Sequence, residues 1–244
     1  MTARSPKSAA KKKAATRLSS DDRSADILAA ARAVIAEKGY EKTLLSDIAR
    51  RAGVVDGTIY RYFENKRDLM VKVAQIWFGE QLLMDSHLES IAGTQNRLRH
   101  LAWRTLSIIQ REPVLARFML MELRPDPNYR NTPFFEMNRR FTHEMLQVCR
   151  EAVESGEFLS DVSPNMLRDM LHGCIEHRTW AFLRGEGDFD VDEVADGIAR
   201  VIYRGMAARP DGTVGSLDGL VRRLEAVTAK LDPAGANAHP KRRG

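Results

Sequence analysis

The sequence predicts an all-α protein: a small N-terminal helix-turn-helix region, then a larger helical region, with about nine main helices in total. Three observations support this fold class. Apolar residues recur at three- and four-residue spacing along most of the chain. Capping residues precede most of these periodic stretches. No stretch alternates apolar and polar residues as a half-buried strand does.

Composition favours an ordinary soluble protein. The 244 residues are 43% hydrophobic and 29% charged, which allows one or two domains with a sizeable core. No apolar run approaches the ~20 residues of a membrane span, and no apolar segment follows the N-terminal basic residues as in a secretory signal. Cys149 and Cys174 are far apart in sequence and predict neither a metal site nor a disulfide. We therefore expect a cytoplasmic protein without a cofactor.

Positive charge is concentrated at the N-terminus. Residues 1–18 carry six basic and no acidic side chains, while the net charge of the whole chain is +5. We predict a disordered basic arm over residues 1–20 that contacts DNA phosphates or the minor groove. The alternative interpretation is a tail that only improves solubility.

The first helix has clear start and stop signals. Ser19 with Asp22 is typical of a capping box, and Gly39 ends the helix. Its predicted buried stripe consists of Ile27, Ala31, Val34 and Ile35.

Residues 44–63 predict two short helices joined by a turn at Gly53. In the second helix Ile59 and Phe63 are four residues apart and share one face. At about 100° per residue, the opposite face carries Thr58, Arg61 and Tyr62. Such side chains suit phosphate oxygens and base edges in a major groove. A solvated helical hairpin with exposed tyrosines would show the same spacing.

The residue identities in this stretch are more specific than the spacing of its apolar positions. It resembles the DNA-binding motif of TetR/AcrR-type regulators over about residues 21–81, and the matching positions are Ile48-Ala49, Ala52-Gly53-Val54, Gly57-Thr58, Tyr60, Tyr62-Phe63, Lys66 and Leu69. Leu44 and Val55 stand where the family usually has small hydroxyl residues, so Thr43 and Asp56 are expected to cap the two helices instead. The DNA-binding residues expected from the motif are Thr43, Asp56, Gly57, Thr58, Tyr60, Arg61, Tyr62 and Lys66.

The region 82–208 predicts a helical ligand-binding and dimerisation domain. A long helix capped by Asn65 enters it and runs to about His87, with an inner face of Leu69, Val73, Ile76 and Leu83. Further helices are predicted to start at Thr94, Pro113, Thr132-Pro133, Ser163-Pro164 and Asp190. Residues 209–244 form a loose tail with one amphipathic helix over 217–231.

Candidate catalytic and metal-binding groups are missing from this pattern, so we do not expect an enzyme. His143 begins a string like a zinc-protease motif, but the second histidine is absent. By resemblance to TetR-type regulators, the C-terminal helices enclose a ligand cavity, for which the candidate lining residues are Trp103, Phe118, Met121, Phe141, Met145, Met170 and Trp180. The stretch from His172 to Trp180 resembles relatives that sense acyl-CoA or fatty acids.

Together these features predict a homodimeric transcriptional regulator in the cytoplasm, associated with the nucleoid. It would repress from a palindromic double-stranded DNA operator and be released by a small apolar ligand. The resemblance implies that helices at about 164–184 and 191–207 pair across the dimer as a four-helix bundle. Two alternatives stay open: control by a partner protein instead of a ligand, and, with less support, an all-α enzyme.

Overall fold

The computed structural model is all-α, which confirms the predicted fold class. It describes residues 7–84, 87–208, 221–225 and 227–228. Apart from the helical tail segment, these residues form nine α-helices: α1 (Lys7–Lys38), α2 (Leu45–Arg51), α3 (Asp56–Ile59), α4 (Lys66–Leu83), α5 (Thr94–Arg111), α6 (Pro113–Phe118), α7 (Pro133–Glu154), α8 (Pro164–Leu183) and α9 (Val191–Met206). Helical turns also cover Leu88–Ser90, Met119–Leu123 and Tyr129–Asn131.

The first helix is longer than the sequence analysis predicts. It begins at Lys7, so Ser19 lies inside the helix and does not cap it. The stretch from Lys7 onward, predicted as part of a disordered arm, therefore continues α1. Its alanine- and lysine-rich composition explains this difference, because both residues have high helix propensity.

The N-terminal region packs around the predicted apolar stripe of α1. Ile27, Ala31, Val34 and Ile35 are at most 3% exposed, as predicted, and they form one core with α2 and α4. Gly39 and Gly53 have φ values of +78° and +66°, in the left-handed region where glycine is favoured. The two glycines therefore end α1 and make the turn between α2 and α3.

The long helix α4 connects the two regions, but its buried face differs from the prediction. Asn65 caps it as expected, with Oδ1 accepting a hydrogen bond of 2.9 Å from Asp68 N. Ile76 and Leu83, predicted on the inner face, are 49% and 87% exposed, and the helix ends at Leu83 instead of His87. The buried positions are Leu69, Met70, Val73, Ala74, Trp77 and Phe78.

The C-terminal region begins its helices where the capping residues predict. The side chains of Thr132, Ser163 and Asp190 accept hydrogen bonds from backbone N–H groups three residues further on. Pro113 opens α6, and α5 begins at Thr94 behind Gly93. The capping signals therefore fix most helix starts in this region.

Glu157 ties the start of α5 to α9. Its carboxylate accepts a bond of 2.6 Å from Thr94 Oγ1 and one of 2.9 Å from Tyr203 Oη. α5 packs more extensively on α9 than on any other element among the described residues. These two helices are therefore the frame of the C-terminal region.

The predicted tail helix is partly covered by the structure. Residues 221–225 and 227–228 are helical, and Leu224 and Val227 are 63% and 52% exposed. Leu217, Leu220 and Leu231 lie outside the described residues. Across the part of the chain that the structure describes, no helix is long and apolar enough to cross a membrane.

Candidate nucleic-acid interface and ligand cavity

The second helix of the helix-turn-helix is held by two apolar side chains. Ile59 is fully buried and Phe63 is 5% exposed, and both belong to the N-terminal core. Asp56, Gly57 and Arg61 are exposed, and Tyr60 is 60% exposed. Because Ile59 and Phe63 are buried, the opposite side of α3 and of the turn that follows it faces solvent, as the sequence predicts.

The helix itself is shorter than the predicted range 56–63. Regular α-helix ends at Ile59. Beyond it, Arg61 N and Tyr62 N donate to the carbonyls of Thr58 and Ile59 at 3.2 and 2.9 Å, which is the tighter three-residue bonding pattern. Arg61 lies on this tighter turn and is exposed.

Two members of the predicted outward cluster are less exposed than Arg61. Thr58 is half-buried, and Tyr62 is half-buried with its ring centroid 6.4 Å from that of Phe63. We define the reading surface as Asp56, Gly57, Thr58, Tyr60, Arg61 and Tyr62. Within it Tyr60 and Arg61 are exposed, while Thr58 and Tyr62 are half-buried.

Thr43 is a correction to the predicted DNA-binding set. It is fully buried, and its hydroxyl donates to Gly39 O at 2.8 Å. Its side chain is thus unavailable to a phosphate, and it does not cap α2, whose N-cap is Leu44 without a side-chain bond. The expected cap at Asp56 is also wrong, because Val55 occupies the N-cap of α3 and Asp56 is the first helical residue.

Lys66 lies where predicted, at the start of α4, but its ammonium group already has partners. Nζ donates to Glu41 O at 3.2 Å and lies 4.5 Å from the centroid of the Tyr40 ring. An ammonium has three donor hydrogens, so one bond to a carbonyl leaves capacity for a phosphate oxygen.

The C-terminal region contains an internal cavity of about 40 Å³ between α4, α5, α7 and α8. Its apolar wall includes Phe78, Ile109, Met119 and Ile175. Its polar lining consists of Trp77, Thr105, Arg124, Asn138, Thr142, His172 and Glu176. A larger groove of about 810 Å³ between α1 and α4 is lined partly by exposed residues such as Asp21 and Ala25, so it does not enclose a ligand.

Most predicted ligand-binding residues do not line this cavity. Phe141 alone of the seven does so. Phe118 lines a separate crevice of about 300 Å³ beside Tyr40. Met121 is half-buried and Met145 is buried, both away from the cavity lining. Trp103, Met170 and Trp180 were also predicted to line a cavity. They are 36%, 48% and 49% exposed and lie outside the cavity lining.

The polar lining of the cavity is electrically balanced. Arg124 Nη1 forms an ion pair with Glu176 Oε1. Burial lowers the pKa of His172 to about 4, with a further decrease from Arg124, so its imidazole is neutral near pH 7. The sequence analysis did not name Arg124, His172 or Glu176 as lining residues. The available signal was the resemblance of the stretch from His172 to Trp180, which includes Glu176, to relatives that sense acyl-CoA or fatty acids.

A pair of contacts links the cavity to the DNA-binding region. Arg67 Nη2 donates to Asp126 Oδ2 at 2.8 Å and to Glu122 O at 3.4 Å. Glu122 belongs to the π-helical turn Met119–Leu123, which contributes Met119 to the cavity wall and leads directly into Arg124. The start of α4 is therefore bonded to the same segment that lines the cavity.

Helix α8 has two apolar faces. Leu167, Leu171 and Ile175 face the core and are at most 1% exposed. Met166 and Met170 on the other face are 55% and 48% exposed, and the same face continues through Cys174, His177 and Ala181, which are also exposed. Large apolar side chains grouped on one exposed helix face mark a surface that packs against another protein, so the outer face of α8 suits a second protein surface.

The two regions together define a class of protein: an N-terminal helix-turn-helix joined through one long helix to an all-α domain with an internal cavity. Residues 27–73 match the tetR family of bacterial regulatory proteins, and residues 92–206 match the tetracyclin repressor-like C-terminal domain. The chain belongs to the TetR family of transcriptional regulators.

Relatives of known role support this assignment. The chain is 25% identical over 181 residues to the fatty acid metabolism regulator protein of Bacillus subtilis (strain 168), covering 74% of this chain and 93% of the relative. It is 25% identical over 197 residues to the HTH-type transcriptional repressor KstR2 of Rhodococcus jostii (strain RHA1), covering 76% and 92%. Both relatives are therefore matched over nearly their whole length.

A solved structure shows the same architecture. The transcriptional regulator FadR from Bacillus subtilis, crystallised in complex with stearoyl-CoA, superposes with a TM-score of 0.62 at 26% identity, covering 74% of this chain and 97% of FadR. The ketosteroid transcriptional regulator KstR2 of Mycobacterium tuberculosis shares the fold, with a TM-score of 0.54 at 20% identity.

Proposed function

We propose that this protein is a ligand-responsive transcriptional repressor that binds a palindromic operator as a homodimer. The observation that carries the DNA-binding part is the exposed edge at Tyr60 and Arg61, held by Ile59 and Phe63 behind it. A guanidinium and a phenol offer donors for base edges and phosphates. Thr58, Tyr62, Asp56, Gly57 and Lys66 complete the proposed contact set, and Thr43 is excluded from it.

We assign dimerisation to the outer face of α8 together with α9. Met166, Met170 and Trp180 on α8 and Val201 on α9 are large apolar side chains that are about half or more exposed in the single chain. Burying them against a second copy would remove this surface from water. A two-fold dimer presents two reading surfaces to half-sites about one DNA turn, ~34 Å, apart.

The ligand class proposed for the cavity is a fatty acyl thioester. Support comes from the FadR structure with stearoyl-CoA and from the apolar wall formed by Phe78, Ile109 and Ile175. Ligand binding would favour a dimer whose reading surfaces no longer match the operator, and so lower its affinity for DNA. Such a repressor acts on the nucleoid in the cytoplasm.

The alternatives from the sequence have less support. Control by a partner protein instead of a ligand would leave the internal cavity without a role. An all-α enzyme is not favoured, since the matched relatives of known role are transcriptional regulators.

A binding experiment tests this proposal. The full-length protein is titrated into fluorescent DNA from upstream of its own gene, and anisotropy is read with and without palmitoyl-CoA. We expect specific binding that survives competitor DNA and weakens at least tenfold with palmitoyl-CoA. Equal affinity for upstream and random DNA would contradict the regulator assignment. Specific binding that palmitoyl-CoA leaves unchanged would contradict the ligand assignment alone.

A further inference from the structure

Two buried nitrogen atoms at the cavity make no hydrogen bond to any of the described residues. They are Trp77 Nε1 and His172 Nε2, and both residues line the cavity. Trp77 is 1% exposed, so water at the surface does not satisfy its N–H. A buried polar group without a partner destabilises a fold by about 1–3 kcal/mol. Such groups in a cavity wall indicate a polar partner that enters the cavity, either a water molecule or an atom of a ligand that displaces it.

The chemistry of the two nitrogens limits what that partner is. An indole N–H is a donor only, so Trp77 requires an acceptor atom. The imidazole of His172 is neutral because burial lowers its pKa to about 4, and a neutral imidazole with its proton on Nε2 is a second donor. An oxygen atom with two lone pairs has the acceptor capacity for both donors.

The charged residues that line the cavity favour an uncharged partner over a carboxylate. Arg124 is the cationic residue in the lining, and it is already paired with Glu176. A carboxylate entering beside this pair would be a buried charge without a counter-ion, which is costly. An uncharged oxygen does not carry this penalty.

We infer that the cavity recognises an uncharged carbonyl oxygen on an apolar skeleton, with Trp77 Nε1 and His172 Nε2 as its donors, and discriminates against the free carboxylic acid. This inference rests on the proposed ligand-responsive function and refines its ligand class. A thioester and a ketone share this chemistry.

The cavity is large enough for the carbonyl oxygen of the ligand but not for the apolar skeleton that carries it. About 40 Å³ holds one oxygen atom or one water molecule. The neighbouring Met119 and Leu120 are half-buried in the π-helical turn, and methionine adapts readily to new packing. An acyl chain or a ring system would gain its space by displacing these two side chains.

A matched pair of probes tests the inference by calorimetric titration of the full-length protein at pH 7.5. Methyl decanoate and decanoate share their acyl chain and differ in charge. We expect methyl decanoate to bind at least tenfold more tightly. Equal binding, or tighter binding of decanoate, would overturn the inference. Ligand binding of either kind would leave the regulator assignment intact.

The substitution Trp77→Phe separates hydrogen bonding from packing. Loss of the N–H should lower the affinity for methyl decanoate about tenfold. If the smaller ring acted only through packing, the affinities for methyl decanoate and decanoate would fall by the same factor. A common factor for both probes, or no change for either, would count against the donor role. Trp103→Phe, at an exposed tryptophan, is the matched control and should leave both affinities unchanged.

Two further probes distinguish the sources of the carbonyl. Palmitoyl-CoA supplies a thioester and androstenedione supplies ring ketones, and each is tested for release of upstream DNA by wild type and by Trp77→Phe. Release by either probe that depends on Trp77 supports the inference. If methyl decanoate, palmitoyl-CoA and androstenedione all fail to bind a protein that still binds its DNA, both this inference and the ligand part of the proposed function are contradicted.

Discussion

Arg67 and Asp126 join the DNA-binding region to the wall of the ligand cavity through a hydrogen bond of 2.8 Å between Nη2 and Oδ2. Arg67 is the second residue of α4, directly after Lys66 and close in sequence to the reading surface. Asp126 lies two residues after Arg124, which lines the cavity. A ligand that moves the segment of Arg124 therefore pulls on the start of α4.

The first prediction tests this link with Asp126→Ala. The change removes the carboxylate that accepts from Arg67 and from Asn128 N, while Asp126 belongs to neither the cavity lining nor the reading surface. We expect operator affinity in the absence of ligand to stay within twofold, while the loss of affinity caused by ligand shrinks about threefold, because a half-exposed ion pair contributes under ~1 kcal/mol of coupling. Anisotropy titrations with and without palmitoyl-CoA give both numbers.

Glu136→Ala is the control for this variant, since Glu136 is part of the exposed pair with Arg139 on α7. It should preserve the full response to ligand. An unchanged response in Asp126→Ala as well would show that the coupling runs elsewhere.

The second prediction concerns the outer face of α8. Met170→Glu places a charge in the middle of the proposed interface, where its desolvation opposes association. We expect a dimer to become a monomer at micromolar concentration in sedimentation experiments, with loss of operator binding. Leu83→Glu, at a residue 87% exposed on α4, should leave the dimer intact. A dimer that tolerates Met170→Glu would place the interface on another surface.

The third prediction follows from the pKa of His172. Burial lowers this pKa to about 4 in the folded protein, from an ordinary value of 6.5 in the unfolded chain. Between these values the unfolded chain binds more protons, so the folded state loses stability as the pH falls from 6.5 toward 4. The loss assigned to His172 between pH 7 and pH 5 is about 2 kcal/mol.

Urea unfolding at pH 7 and pH 5 measures this loss. His172→Gln keeps a polar side chain that does not titrate, so its stability should fall by about 2 kcal/mol less than that of wild type over the same range. His143→Gln, at an exposed histidine of α7, should follow wild type. A His172→Gln variant with the full wild-type dependence would show that His172 is accessible to protons in the folded state.

Local signals account for the parts of the structure that the sequence predicted well. Asn65, Thr132, Ser163 and Asp190 cap their helices because a side-chain oxygen two or three residues from a backbone N–H needs no tertiary context. The burial of Ile59 and Phe63 follows equally from their four-residue spacing. The resemblance to TetR-type regulators fixed the identity of the motif more strongly than this spacing did.

The errors occurred where a helix has more than one apolar face. Met170 and Trp180 on α8 were predicted to line a cavity, but they lie on the exposed outer face. Spacing alone does not tell which apolar face meets the core and which meets another surface. Ile76 on α4 was misplaced for the same reason, since the buried face is set by contacts with α1 and α7.

Most of the residues that line the cavity were missed for a different reason. Trp77, Arg124 and His172 are distant in sequence, and tertiary packing brings them together. Arg124 also lies beyond a π-helical turn, which breaks the periodic pattern. The stretch that begins at His172 gave a sign of a ligand site, but nothing in the sequence connected Trp77 or Arg124 with it.

The most direct test of the account is the effect of Arg61→Ala on specific DNA binding. Arg61 is exposed beside α3, and its side chain makes no hydrogen bond or ion pair with any of the described residues. Loss of a base or phosphate contact costs about 1–3 kcal/mol, so we expect affinity for upstream DNA to fall about tenfold or more, with the thermal unfolding midpoint unchanged.

Arg139→Ala, an exposed arginine on α7 in the C-terminal region, is the matched control for charge and should keep wild-type affinity. If Arg61→Ala and Arg139→Ala bind upstream DNA as tightly as wild type in the same anisotropy titration, the surface formed by α3 and its following turn does not read DNA, and the account is contradicted.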